Sequence, residues 1–228
     1  MEFSYNWDFN SILLNWDVLA YGLLVTMQIS AITLIAGLGL GFILGLGRYS
    51  RLQIFRLPSS VFVELFRNVP ALVVIIWFFF AFPIIIGLMI QAFLAATLTL
   101  AIVAAAFYAE IFRAGINSIE RGQWESASAL GMTRLELLRR VILPQAIKRM
   151  IPAFLERTIE LLKTTPLMAA VAYSDLLFQA MDIAQKTFRP LEVLTVVAGI
   201  YFMMIYPTSL GVRKLERKLA KSGESTVH

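Results

Sequence analysis

Residues 125–131 read Glu-Ser-Ala-Ser-Ala-Leu-Gly, and after nine intervening positions residues 141–144 read Val-Ile-Leu-Pro. The segment around them is rich in charged residues and lies between two strongly apolar halves of the chain. A run of small residues that closes on a glycine predicts a short helix ending at Gly131. Because small side chains let another backbone come close, this helix is suited to docking a second protein.

The composition places the remainder of the chain in a bilayer. Of the 228 residues, 59% are hydrophobic and 15% are charged, and the mean hydropathy is +0.75. Such a chain has more apolar surface than a soluble domain of this size can bury. A spanning helix needs roughly 20 apolar residues, so we expect an all-α, polytopic membrane protein with about five transmembrane helices.

Five apolar segments fit this expectation. They cover residues 19–46, 71–88, 91–112, 151–172 and 191–212. We expect a short helix that ends at Pro70 to precede the second apolar segment. We expect a tight turn near Gly87 to separate the second segment from the third. Between the fourth and the fifth we expect an outer loop that holds Asp175, Asp182, Lys186 and Arg189.

Basic residues indicate the orientation of the spans. Residues 1–18 contain acidic residues and no Lys or Arg, so we expect an external N-terminal segment that is retained because it lacks the positive region of a signal peptide. Three of the 20 basic residues follow the first span, seven lie in the loop 113–149 and five in the tail 213–228. By the positive-inside rule, this predicts an external N-terminus and a cytoplasmic C-terminus, on either side of a transmembrane domain of residues 19–212.

The motif around Gly131 resembles the E-A-A-x-x-x-G-x9-I-x-L-P signature of ABC importer permeases, with Ser126 and Val141 as mild departures. Residues 107–116, 121–123 and 143–146 are also similar to permeases of the polar amino acid uptake class. The resemblance runs from about Tyr21 to Lys218 and implies the type I ABC importer permease fold. It implies four kinds of partner for the chain, namely an ABC ATPase dimer, a second permease of the same or a paralogous sequence, an extracytoplasmic solute-binding protein and an amino acid substrate.

In that family the loop inserts into a cleft of the separate ATPase. The resemblance also implies that the chain lies in a bacterial inner membrane. The chain has no G-x-x-x-x-G-K-[ST] loop, so ATP hydrolysis is expected on another subunit and this chain is not expected to be an enzyme. Alternatively, the helix is an ordinary amphipathic segment of a cytoplasmic loop. The expected coupling residues, among which we take Trp124 to be exposed, are Glu120, Arg121, Trp124, Glu125, Ala127, Leu130 and Gly131.

Two segments are candidates for the substrate path. Residues 64–70 are similar to the E-L-F-R-[GN]-x-P segment of the class, with Glu64 and Arg67 one turn apart and able to neutralise each other. Residues 162–167 occupy the position of the family segment L-K-[DN]-[TS]-[SA]-L. A break in the helix at Pro166 would free backbone groups beside the hydroxyls of Thr164 and Thr165. Both could also be structural kinks. The path candidates are Glu64, Arg67, Asn68, Arg157, Glu160, Lys163, Thr164 and Thr165.

The substrate is predicted from charge. Arg67, Arg157 and Lys163 could offset the second carboxylate of glutamate or aspartate, whereas Glu156 and Glu160 favour a cationic or neutral amino acid equally well. We expect an acidic amino acid because the Arg67–Pro70 segment resembles that of acidic amino acid permeases. A channel subunit is the alternative from another class, and an intramembrane enzyme is a more distant one.

Chemistry of other kinds is not expected. The chain has no cysteine and its one histidine is His228, so no catalytic residue, metal or cofactor is predicted. The net charge of +5 is explained by orientation in the membrane, so no nucleic acid partner is expected. Glycines 37, 41 and 45 recur every fourth residue inside the first apolar segment, which predicts a smooth strip for close helix packing against a neighbouring helix.

Overall fold

The computed structural model describes residues 5–224, with side chains up to residue 216. All regular structure in this part of the chain is helical. The α-helices are α1 (Asn10–Leu13), α2 (Trp16–Tyr49), α3 (Gln53–Asn68), α4 (Ala71–Ile76), α5 (Phe82–Ile86), α6 (Ala92–Asn117), α7 (Arg121–Ala129), α8 (Arg134–Leu137), α9 (Leu143–Thr164), α10 (Leu176–Thr187) and α11 (Pro190–Glu224).

Three shorter segments adopt other helical forms. Trp77–Ala81 and Leu138–Ile142 are π-helical, and Thr165–Val171 is a 3₁₀ helix. Each π-helical segment ends two residues before a proline, Pro83 or Pro144. Because proline lacks the backbone donor and its ring crowds the carbonyl four residues earlier, the wider π turn accommodates it.

The length and composition of the helices agree with the predicted number of spans. Within the described residues, α2, α6 and α11 are each long and apolar enough to cross a membrane. Two broken helix pairs, Gln53–Asn68 with Ala71–Ile86 and Arg134–Val171 with Leu176–Thr187, raise the number to as many as five. The all-α class is therefore confirmed with about five spans, while the orientation of the termini and the division into segments stay predictions.

The helices form two compact units. The first unit contains Met1–Thr33, Pro70–Leu100 and Leu161–Pro207, and the second contains Leu34–Val69, Ala101–Glu160 and Thr208–His228. Residues 1–4 and 225–228, with His228, lie outside the described part, as do the side chains of Arg217, Lys218 and Lys221 in the predicted basic tail.

The core of the first unit joins the start of α2 to α10 and α11. Leu19, Leu176 and Val193 are fully buried in one apolar cluster. Gly22 lies so close to α10 that a Cβ placed on it would be 2.9 Å from the Leu176 Cα. The Thr26 hydroxyl accepts a hydrogen bond from the Leu176 amide at 3.1 Å. A backbone approach this close fixes α10 against α2.

The core of the second unit depends on the predicted glycine strip. A Cβ on Gly37 would lie 2.9 Å from the Ala104 Cβ, and one on Gly41 would lie 2.7 Å from the Tyr108 Cβ. A Cβ on Gly45 would lie 3.0 Å from the Cβ of Phe112. The strip therefore lets α2 pack directly on α6, as predicted.

One predicted loop is wrong, and one predicted break lies further along the chain than expected. Residues 176–187 of the expected outer loop form α10, because Asp175 accepts a hydrogen bond from the Phe178 amide at 2.8 Å and caps the helix. The α10 residues Ala180 and Ile183 are also buried, so its apolar face is packed. The α-helix ends at Thr164, as expected for Pro166, but a 3₁₀ segment continues it to Val171 and the bend of 49° to α10 lies between Val171 and Leu176.

Candidate functional site

Helix α7 ends as its sequence predicted. Gly131 has φ +73°, a left-handed conformation that glycine adopts without a steric cost. Its amide donates to the Ser128 carbonyl at 3.0 Å, and the Met132 amide donates to the Ala127 carbonyl at 3.3 Å. This pair of bonds is the Schellman motif, which satisfies the last carbonyls of a helix. Gly131 therefore sets both the end of α7 and the direction in which the chain leaves it.

The inner side of α7 packs on the second unit. Ala127 is only 3% exposed and belongs to a cluster with Ile116, Ile119, Leu137, Ile142, Ala146 and Met150. Trp124 is half-buried against the same cluster, which corrects the expectation that it is exposed. Ala127 and Trp124 therefore lie on the side of α7 that packs against the apolar cluster of the second unit.

The outer side of α7 is exposed in the described part of the chain. Leu130 is 78% exposed, and the other exposed residues on and beside α7 include Glu120, Arg121, Glu125, Ser126 and Ala129. An exposed leucine beside small and charged residues suits a partner's apolar groove with a polar rim. Five of the seven predicted coupling residues thus remain accessible.

Polar contacts hold the loop around α7 in place. Gln145 on α9 donates to the Gln123 side chain at 3.1 Å, and Arg149 donates to the Ser118 carbonyl. Thr133 and Glu136 form a capping box at the start of α8. Of these contacts, the hydrogen bond between Gln145 and Gln123 joins α7 directly to α9.

A cluster of charges surrounds Glu110 in the second unit. The Glu110 carboxylate lies 2.5 Å from Arg48, 3.3 Å from Arg67 and 2.5 Å from Arg113. Glu64 pairs with Arg48 at 3.1 Å, so the predicted pairing of Glu64 with Arg67 is wrong. Long arginine side chains reach across to another helix more readily than the sequence spacing indicated. Glu110 thereby joins α6 to both α2 and α3.

Two arginines meet at one aromatic ring. The guanidinium of Arg157 lies 3.5 Å from the centroid of the Phe107 ring, and that of Arg67 lies 5.7 Å from the same centroid. Both distances are within the range of cation–π attraction. Arg157 also forms an ion pair of 2.6 Å with Glu160, whose side chain is 64% exposed. Phe107 was missed as a site residue because a phenylalanine inside an apolar helix reads as core.

The remaining candidates of the path differ in their surroundings. The Asn68 side chain donates to the Glu64 carbonyl at 2.7 Å and so closes the end of α3. Thr165 is fully buried, and its hydroxyl donates to the Leu162 carbonyl at 2.9 Å. Thr164 is half-buried and Lys163 is exposed. The structure brings Arg67, Arg157 and Glu160 together in the second unit, while residues 163–165 belong to the first.

The described residues contain no group of three or more His, Cys, Asp or Glu side chains that could hold a metal ion. The expectation of no cofactor and no catalytic residue stays a prediction.

The sequence matches a known family over most of its length. The profile of the family described as "Binding-protein-dependent transport system inner membrane component" matches residues 37–221. This chain belongs to that family. The match includes both π-helical segments, α7 and the residues around Phe107, so the resemblance inferred from the motif at residues 125–144 is confirmed.

Curated relatives of this inner membrane component are similar to it along almost the whole chain. The probable glutamine ABC transporter permease protein GlnM of Bacillus subtilis is 34% identical over 208 residues, covering 91% of this chain and 96% of the relative. The arginine transport system permease protein ArtQ of Bacillus subtilis is 31% identical over 214 residues, covering 94% of this chain and 98% of the relative.

Solved structures support the fold of the inner membrane component. One chain of an amino acid ABC transporter, whose crystal structure is described as containing histidines, matches with a TM-score of 0.89 at 33% identity. That match covers 94% of this chain and 100% of the solved one. A chain of an inward-facing MetNI methionine ABC transporter matches with a TM-score of 0.65 at 22% identity and supports the fold alone.

Proposed function

We propose that this chain is the permease subunit of an ATP-driven importer that carries acidic amino acids across a bacterial inner membrane. The family assignment and the amino acid transporters named among the relatives support the general activity. The acidic substrate is supported by one observation, the convergence of Arg67 and Arg157 on Phe107.

The chemical argument concerns the second carboxylate of glutamate or aspartate. Arg157 is only 10% exposed, and its Nε has no hydrogen-bond partner in the described residues. A buried guanidinium with an unused Nε donor is suited to a carboxylate, since a guanidinium offers a fork of N–H groups. The one ion-pair partner of Arg157 in that region, Glu160, lies on the more exposed side and could yield to a passing carboxylate.

A cationic or neutral amino acid is the second candidate. Glu156 and Glu160 are exposed on α9, and the relatives described above are named for glutamine and arginine. Exposed carboxylates beside a transport path would favour a cationic substrate. The two candidates differ in which charge dominates the path, so they can be separated by competition.

The proposed partners follow from the family and from the exposed side of α7. A separate ATPase dimer would bind the surface formed by Leu130 and the exposed polar residues around it. A second permease, identical or paralogous, would cover the charged face of α9, because Glu156 and Lys163 are too polar to face lipid. A solute-binding protein would deliver the amino acid from the outer side.

Competition for uptake tests the proposed substrate. Proteoliposomes that contain the complete importer are given labelled glutamate together with an excess of unlabelled aspartate, glutamine, arginine or histidine. We expect aspartate alone to suppress the uptake of glutamate strongly. Strong suppression by arginine or histidine, with aspartate ineffective, would overturn the acidic assignment and favour the cationic one.

A further inference from the structure

A cavity of about 370 Å³ lies in the second unit beside the end of α2, and nothing in the proposed transport function uses it. It is lined by Tyr49, Arg51, Arg134, Leu135 and Leu138. By the share of liquid volume per water molecule, roughly 30 Å³, this space would hold about a dozen waters. It is therefore large enough for a polar headgroup and the first carbons of an attached chain.

The two arginines of the cavity carry free positive charge. Arg51 and Arg134 are exposed, and neither forms an ion pair with another residue in the range 5–216. Their neighbour Arg48, in contrast, is paired with both Glu64 and Glu110. No acidic residue lines the cavity. An anion from outside the described chain could therefore bind here and neutralise the two guanidinium groups.

The other side of the cavity is apolar. Leu135 is 74% exposed, and Leu138 is half-buried beside it. A soluble anion such as inorganic phosphate would satisfy the guanidinium groups and leave these leucines in water. A ligand that joins an anionic group to a hydrocarbon chain would satisfy both, because covering exposed apolar surface is favourable.

The cavity also lies at the end of a helix long enough to span a membrane. Tyr49 is the last residue of α2, whose apolar length qualifies it as a span. Helix α3 begins four residues later and exposes an apolar stripe of Ile54, Leu57, Val61 and Leu65, with the exposed Arg56 beside it. An apolar stripe flanked by arginines is typical of a helix that lies among lipid headgroups.

We propose that this cavity binds the headgroup of an anionic phospholipid of the cytoplasmic leaflet, with phosphatidylglycerol as the test ligand. Arg51 and Arg134 contact the phosphate, and Leu135 and Leu138 contact the start of the acyl chains. Tyr49 and Leu138 also pack against the apolar cluster that supports α7. A bound lipid would therefore stabilise the support of α7, whichever amino acid is carried.

Native mass spectrometry of the purified importer complex tests the proposal by titration with phosphatidylglycerol or phosphatidylcholine. The variant R51Q/R134Q is compared with R139Q/R140Q, which removes the same charge from exposed arginines that do not line the cavity. We expect R51Q/R134Q to weaken phosphatidylglycerol binding about 30-fold, or ~2 kcal/mol, at about one charge interaction per arginine. We expect the control double variant to change it less than threefold.

Three other outcomes would overturn the proposal. Equal losses in the two double variants, or equal binding of phosphatidylcholine by the wild type, would overturn a specific lipid site. Displacement of the lipid by inorganic phosphate would show that a soluble anion is the ligand. If R51Q/R134Q loses the ATPase subunit but retains phosphatidylglycerol, the cavity is a protein contact and the proposal is wrong. Thermal melting of each variant checks that the fold is intact.

Discussion

Arg157 and Phe107 form the closest cation–ring contact in the described part of the chain, with the guanidinium 3.5 Å from the ring centroid. The ring holds the side chain of Arg157 against α6 and leaves its charge balanced by a single, largely exposed carboxylate. A charge that is fixed in position but weakly neutralised is available to a ligand.

Replacing Arg157 by glutamine is expected to reduce glutamate uptake about tenfold or more, because a hydrogen bond to a charged group contributes roughly 1.5–3 kcal/mol. Arg157→Lys should recover only part of the activity, since lysine keeps the charge and loses the planar contact with Phe107. Lys186→Gln serves as the control, because Lys186 pairs with Asp182 on the surface. Initial uptake rates measure all three, and unchanged uptake in Arg157→Gln would exclude a direct role.

Replacing Gly131 by valine is expected to uncouple transport. A non-glycine residue in the left-handed conformation costs about 1–2 kcal/mol, and the end of α7 would shift to relieve it. Substrate-stimulated ATP hydrolysis by the assembled importer should fall several-fold. The control is Gly122→Ala on the same helix, where an added Cβ meets no atom within 4 Å. Gly122→Ala should leave substrate-stimulated ATP hydrolysis unchanged and stabilise α7 slightly, because alanine favours helix. Equal losses of ATP hydrolysis in the two variants would refute the assigned role of Gly131.

A methyl group on Gly41 is expected to destabilise the second unit by about 1–3 kcal/mol, the usual cost of overpacking a core. Its Cβ would lie 2.7 Å from the Tyr108 Cβ and 2.9 Å from the Ala105 carbonyl oxygen. Gly39→Ala, two residues away on α2, meets no atom within 4 Å and should leave stability unchanged or slightly raised. Thermal unfolding of the detergent-solubilised protein compares them, and equal midpoints would contradict the packing of α2 on α6.

Glu110→Gln is expected to lower the unfolding midpoint, because it leaves Arg48, Arg67 and Arg113 without their shared carboxylate. The loss should be on the order of 1–3 kcal/mol, below that of a fully buried pair, since Arg67 and Arg113 remain partly exposed and Arg48 keeps its contact with Glu64. Glu64→Gln removes a carboxylate that is 56% exposed and should cost no more than about 1 kcal/mol. A larger loss in Glu64→Gln than in Glu110→Gln would reverse the assignment of the central residue.

Local sequence patterns predicted much of the architecture. The five apolar segments, the end of α7 at Gly131 and the end of α9 before Pro166 depend on hydrophobic length and on the backbone limits of glycine and proline. The glycine strip of α2 also followed from spacing, because every fourth residue of a helix lies on one face. These features need no knowledge of distant residues.

The site was harder to predict because its contacts join distant parts of the chain. Glu110 is 62 residues from its partner Arg48. Nothing in the sequence near Glu64 indicated that Arg67 would pair with Glu110 and not with Glu64. The burial of Trp124 depends on a cluster that includes α9. Helix α10 was missed because its charged residues suggested a loop, although Asp175 is a good helix cap.

Accumulation of a labelled amino acid in proteoliposomes tests the central claim most directly, that a separate ATPase docked on α7 drives this permease. The complete importer and a preparation lacking the ATPase are compared, each with ATP and with a non-hydrolysable analogue. We predict accumulation against a gradient only in the complete importer with ATP, and its loss in Gly131→Val. Equilibrating flux through the preparation that lacks the ATPase would contradict the account and indicate a channel.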